Sequence, residues 1–351
     1  MSSCIRLIFN NDKKESLLIN NKKGSLLIIV LWVISFLAIL ALAIRAYVIP
    51  RVALAKRLKE RTNLKYMAQA AVQKAIVEIE KDKTYPDMLG EPWCNNKEVF
   101  KDVYLDGGHF SIYWQRFIHH EKTKEKFYGL MDEERKININ TEAYSILKKL
   151  FILVGEASLS ETAIIADSII DWRDKDTEVR ENGAEEGYYT SMHAGYHCKN
   201  GAFDLINEIL LVRGMKLEIF NKVKDYITVY GKGRVNINTA EKATLEIVGI
   251  GSELADKIIS FRRGYDTREM TEDDNVFESI SSIIDALSGQ EDVSKEEIAL
   301  LQKTIGEDML CVHSDYFSAR TASILKNVSK PYQLDFVINR KGKILYWYHC
   351  N

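Results

Sequence analysis

Twenty consecutive residues without a charge, Ser25 to Ile44 (SLLIIVLWVISFLAILALAI), constrain this chain more than any other feature. A helix of that length rises about 30 Å, the thickness of the hydrocarbon core of a bilayer. A secretory signal has a shorter apolar region, about 7–15 residues, and a small-x-small cleavage site behind it. No such site follows here. Leu54, Leu58, Ala68, Val72, Ala75, Ile76 and Ile79 instead recur at helical spacing, so the pattern predicts an amphipathic helix to about residue 83, with a kink at Pro50. Arg45, Arg51, Lys56 and Arg57 beyond the span offset the lysines before it, so charge asymmetry does not fix orientation.

The whole chain, 351 residues with 28% charged and 46% hydrophobic side chains, is long enough for two or three packed domains behind the span. A net charge of −2 gives no general pull toward nucleic acid or anionic surfaces. The cysteines Cys4, Cys94, Cys198, Cys311 and Cys350 form no C-x-x-C pair, which argues against a zinc site. Their spacing permits a disulfide without demanding one.

Residues 84–130 read as strands. GGHFSIYWQRF (107–117) alternates, EKFYGLMDEERKININ (125–140) suggests a second strand, and the polar stretch between them, with His119 and His120, reads as a hairpin loop. Asp132, Glu133 and Glu134 are expected in a solvated turn. Residues 138–310 read as short helices containing a weak repeat. RKININTEAYSILKKLF (135–151) matches GRVNINTAEKATLEIVGI (233–250), and each is followed by a second helix. Thr141 and Thr239, or Asn140 and Asn238 before them, are the expected helix caps. VGIGSELADKIISFRRG (248–264) has the form of a helix-hairpin-helix. The tail returns to strands, with a hairpin at Arg340-Lys341-Gly342. The expected architecture is a pilin-like α/β domain, a long N-terminal helix plus an antiparallel sheet, carrying a large inserted all-α domain with helix-hairpin-helix or SAM-like repeats. Its expected segments are 1–24, 25–83, 84–137, 138–310 and 311–351.

The densest chemistry lies at DWRDKDTEVRENGAEEGYY (171–189), where Asp171, Asp174, Asp176, Glu178, Glu181, Glu185 and Glu186 crowd one loop. Oxygen donors without His or Cys suit a hard cation such as calcium. A solvated acidic loop reads equally well. Val179 stands where an EF-hand loop needs glycine, so this is not that motif. No nucleophile or positioned histidine accompanies the carboxylates, which argues against catalysis. His193 and His197 fall in a glycine-containing loop rather than on a helix. Lys257, Arg262 and Arg263 beside the Gly-Ile-Gly hairpin could hold a nucleic-acid phosphate, but thirteen acids against three cations across 265–310 oppose it.

Taken together, Lys22-Lys23-Gly24 before the apolar run, the Asp132-Glu133 to Asn140 stretch, the acidic loop with Gly183-Ala184-Glu185, and the Asn-Ile-Asn-Thr-Ala copy at 236–240 resemble the K subunit family of type II secretion minor pseudopilins. The resemblance implies a non-enzymatic subunit at the tip of a pseudopilus that helps initiate assembly and protein export. It implies cleavage by prepilin peptidase after Gly24 and methylation of Ser25. It also implies a single inner-membrane span with the bulk of the chain in the periplasm. The implied partners are other minor pseudopilins, the major pseudopilin and the inner-membrane platform. A calcium site is implied at Asp171, Asp174, Asp176 and Glu185. Ile29 stands at the fifth mature position, where a pilin carries glutamate to pair with a neighbour's amino terminus. An unpaired charge in that apolar core is costly, so an apolar residue suits a subunit with none above it. The alternative is a membrane-anchored helix-hairpin-helix DNA receptor of the competence type. A calcium-dependent hydrolase would need nucleophile chemistry that the sequence lacks.

Overall fold

The computed structural model describes residues 12–118, 123–192, 195–289, 293–326, 328 and 330–350. Residues 1–11, with Cys4, and His119, His120 and His193 lie outside the described residues. The chain divides into two compact units, residues 1–63 and 64–351.

Helix α1 (Asp12–Lys81) carries the apolar run and continues unbroken through Pro50. The proline removes one backbone donor, and helical bonds on both sides carry on past it. From Ser25 to Lys59 every residue is exposed, including Leu27, Trp32, Phe36 and Leu42. An uncharged helix exposed all round fits lipid rather than water.

In the second unit the character of α1 changes. Leu64, Ala68, Ala71, Val72, Ala75 and Ile79 are buried at helical spacing and, from Ala68 on, form one face of a core with the sheet. After α1 come a short helix α2 (Lys97–Phe100) and the strands β1 (Val103–Leu105), β2 (Gly108–Ile118), β3 (Thr123–Phe127) and β4 (Met131–Asp132). The C-terminal strands β9 (Tyr316–Leu325), β10 (Tyr332–Asn339) and β11 (Ile344–Cys350) complete an antiparallel sheet of order β1-β2-β9-β10-β11. The first half of β2 pairs with β9 and its second half with β3, while β4 takes up the end of β9. Phe317, Ala319, Thr321 and Ser323 of β9 alternate inward. The expected second strand is interrupted at Gly129, whose φ of +155° and close approach to the Trp93 and Cys94 carbonyls leave no room for a side chain. The tail hairpin forms as expected, turning at Gly342.

Between the two halves of the sheet lie β5 (Ile137–Asn138), α3 (Tyr144–Leu153), α4 (Leu159–Arg173), α5 (Glu186–Thr190), α6 (Leu217–Val223), β6 (Ile227–Thr228), β7 (Val235–Asn236), α7 (Lys242–Ile247), α8 (Ser252–Arg262), α9 (Ile280–Ser288), α10 (Lys295–Gly306) and β8 (Leu310–Cys311). A short 3-10 helix, Ile206–Leu211, lies between α5 and α6. The region is not purely helical. Its two repeats each close a two-residue parallel ladder, β5 with β6 and β7 with β8.

The repeat is structural. Asn140 donates to the carbonyls of Phe203 and Val229 and accepts from the Phe203 N–H, while Asn238 makes the same reciprocal pair with Phe277. At the end of the second helix of each copy an arginine turns back onto the Asn-Ile-Asn turn. Arg173 donates to the Ile139 and Glu142 carbonyls, and Arg262 to those of Ile237 and Ala240. These contacts correct the capping expectation. The N-caps of α3 and α7 are Ala143 and Glu241, because the Asn side chains are engaged across the fold instead. Asn238→Ala is expected to leave two buried Phe277 backbone groups unpaired and to destabilise the chain by roughly 2–4 kcal/mol, read from urea unfolding. A loss below about 0.5 kcal/mol would contradict the role given to the pair.

Asp132, Glu133 and Glu134 are buried rather than solvated. They stitch the helical region to β9. Asp132 accepts from Thr239, Asn236 and Ser314, and Glu133 from Lys136, Thr228 and Ser318. Glu134 accepts from the N–H groups of Asp315 and Tyr316. The physical reason is that both elements present free hydroxyls and amides at this seam, and a buried carboxylate needs several donors.

Candidate metal centre

Helix α4 opens with a capping box, Ser158 with Glu161, and ends at Asp174. Its interior carries Asp167 and Asp171 one turn apart, both buried. Asp167 is fully occupied. Arg180 donates to it at 2.7 Å, and Asn182 donates through both its backbone and side-chain nitrogen. That carboxylate therefore folds the loop 175–183 back over α4. Arg213 donates at 2.7 Å to the Gly183 carbonyl, and Trp172 meets Tyr189 edge to face at 5.0 Å. Gly183 lies against the Asp171 carboxylate so closely that any Cβ would collide with it.

The loop brings Asp174, Asp176 and Glu185 together, each with an oxygen within 4.8 Å of the others. Asp171 stands beside them and is completely buried. One oxygen of Asp171, one of Asp174 and both of Glu185 are buried without a hydrogen-bond donor. Burial, with Glu185 and Asp174 as like charges, pushes the Asp171 carboxyl up to about 6. Burial and the neighbouring acids also raise Asp174 and Glu185. Buried carboxylates that repel one another and lack donors fit a hard cation taking several oxygens. Asn200 adds a buried side-chain oxygen without a donor, while its amide donates to the Asp176 carbonyl. Sequence reading missed Asn200 and Asp167, since neither stands inside the dense acidic string. Glu186 is spoken for by His197 at 2.5 Å and by the Cys198 N–H at 2.8 Å, and Glu178 and Glu181 are exposed.

The second repeat provides an internal control. Its loop after α8 is also acidic, yet Asp273 accepts from the N–H groups of Tyr265 and Asp266, and Asp274 from that of Met270. Those carboxylates are satisfied by their own backbone. Another acidic group, Asp82, Asp87 and Glu91, is likewise occupied. Arg340 holds both aspartates, and Trp93 and the Met88 N–H donate to Glu91.

The cations considered for phosphate binding are engaged. Lys257 pairs with Glu297 at 2.8 Å, Arg262 is buried, and Arg263 lies 3.9 Å from Glu269. Gly249, at φ +108°, serves the tight hairpin. Of the residues tied to processing, Gly24 lies within α1 with its surroundings undescribed, and Ser25 and Ile29 are exposed. Cys94, Cys198, Cys311 and Cys350 are unpaired.

Residues 128–232 match the family model described as "Type II secretion system (T2SS), protein K", first domain. Type II secretion system protein K of Dickeya chrysanthemi is 27% identical over 128 residues, covering 34% of this chain and 35% of that protein. Its counterpart in Aeromonas hydrophila is 25% identical over 206 residues, covering 56% and 61%. The chain thus spans between about a third and three fifths of these curated relatives. In structure it matches the GspK–GspI–GspJ complex of enterotoxigenic Escherichia coli with a TM-score of 0.60, 16% identity, 85% of this chain and 99% of the matched chain. Residues 128–232 thus match the type II secretion system protein K family model, and the chain as a whole shares its fold with a chain of the solved GspK–GspI–GspJ complex.

Proposed function

We propose that this protein is a minor pseudopilin of a type II secretion system, a structural rather than catalytic subunit that joins other minor pseudopilins at the pseudopilus tip and helps initiate assembly and export. The observation that carries this reading is the match of 128–232 to the protein K model inside a chain with a lipid-compatible helix and an antiparallel sheet. The relative solved in complex with GspI and GspJ points to partners of that kind.

In this reading Ser25–Ile44 is a single inner-membrane span with the body in the periplasm, prepilin peptidase cuts after Gly24, and Ser25 becomes the methylated end. Residues 138–310 act as an inserted helix-hairpin-helix or SAM-like domain. The major pseudopilin and the inner-membrane platform are further partners. Asp174, Asp176 and Glu185, with Asp171 beside them, hold calcium. The ion would supply the positive charge that the unpartnered carboxylate oxygens lack. Arg180 and Asn182 hold the loop through Asp167, and the buried rings of Trp172 and Tyr189 meet edge to face.

Co-expression with minor pseudopilins of the GspI and GspJ kind is expected to yield a stoichiometric complex on size exclusion. A chain that elutes alone while the others assemble would overturn the proposal. The DNA-receptor reading gains no support, because Lys257 and Arg262 are committed to internal contacts.

A further inference from the structure

We infer that the first turns of α1 beyond the apolar run form a collar for the anionic phosphates of membrane lipid headgroups. The inference rests on the membrane-anchored reading above and adds a partner to it.

Arg45, Arg51, Lys56, Arg57, Lys59 and Arg61 follow the uncharged run directly, against Glu60 as the only acid between Arg45 and Arg61. All six cations are exposed. The one ion pair on this stretch among the described residues is Lys56–Glu60, at 3.9 Å. The chain as a whole is slightly acidic, so this local excess is a feature of the stretch and not of composition.

The arrangement distinguishes a lipid surface from a protein. At about 100° per residue, the six cations point around the whole circumference with no gap wider than about 100°. A partner protein meets a helix along one face, whereas a planar headgroup layer meets a crossing rod on every side. The side chains of a helix also lean toward its N-terminus, here back toward the span, so Arg51, Lys56 and Arg57 reach toward the surface they have just left. Between them Val48, Ile49, Val52, Leu54 and Leu58 are exposed apolar residues, suited to the boundary between acyl chains and headgroups. Tyr47 sits where an aromatic ring belongs at that boundary, and the Arg51 guanidinium stacks 5.5 Å above it. Near an anionic surface each cation contributes about a fivefold preference, fading beyond a Debye length.

The test uses the full chain in vesicles of equal phosphatidylglycerol and phosphatidylcholine, with flotation to read insertion and native mass spectrometry to read which lipids stay bound. The wild type is expected to float and to retain phosphatidylglycerol at least about fivefold over phosphatidylcholine. That preference should weaken at high salt, and in R51Q/K56Q/R57Q it should fall toward one. The salt series reads the wild type alone, so it stands even if the variant folds poorly. Flotation with equal retention of both lipids, or a preference that ignores salt, would overturn the collar while leaving the anchor. Failure to float would overturn both. Loss of a bound acidic protein from the variant, without any headgroup preference in the wild type, would overturn it in favour of a protein contact.

Discussion

Calcium is expected to raise the thermal unfolding midpoint of this protein by roughly 5–10 °C, and chelator to remove the gain. At one hundred times its dissociation constant a ligand of the folded state adds about 2.7 kcal/mol, and each kcal/mol moves a body of this size by roughly 2–4 °C. The argument rests on Asp171, Asp174 and Glu185, whose buried oxygens lack donors and whose neighbours are acids. Without a cation these groups oppose folding at neutral pH. Hence D174N/D176N/E185Q should lose the response to calcium, yet be more stable than the wild type in chelator. A variant less stable than the wild type in chelator would mean that the carboxylates are held by the protein itself. Magnesium, which demands a tighter octahedral shell, should act weakly.

Glu269→Ala is expected to cost about 3–5 kcal/mol, because it strands a buried arginine. Glu269 bonds Arg262 at 3.0 Å and Arg116 at 2.7 Å, tying the second repeat to strand β2. Burial alone would raise its carboxyl, but Arg262 and Arg116 outweigh burial and hold it down at about 2. With a folded value below the ordinary 4.5, its contribution is fully present above about pH 4.5 and is lost as pH falls through about 2. The variant should therefore differ most from the wild type at neutral pH, and the two should converge in strong acid. A constant difference in denaturant unfolding across pH 7 to 2 would contradict the assignment.

The span, the sheet strands and the two Asn-Ile-Asn-Thr copies were legible because each rests on a local pattern. An uncharged run, a period of two and a repeated tetrapeptide need no knowledge of distant neighbours. What escaped the sequence was long-range. Asp132, Glu133 and Glu134 look like a solvated turn until Ser314, Ser318, Thr228 and Thr239 are brought to them from far along the chain. Nothing in the sequence singles out Arg173, Arg262 reads there as a possible phosphate contact, and only the fold shows that the two clamp equivalent turns. In the acidic loop, sequence named the carboxylates that converge, but not Asn200, nor Asp167, which shapes the loop without facing its centre. It could not tell either that the acids after α8 are satisfied by their own backbone.

The central claim is that Ser25–Ile44 is retained behind a cut at Gly24, as in a pseudopilin. The measurement that reaches it most directly is mass spectrometry of the N-terminal peptide of the mature protein from membranes. The account predicts a chain starting at Ser25 with a methylated amine. An intact leader, or a start beyond Ile44, would contradict it.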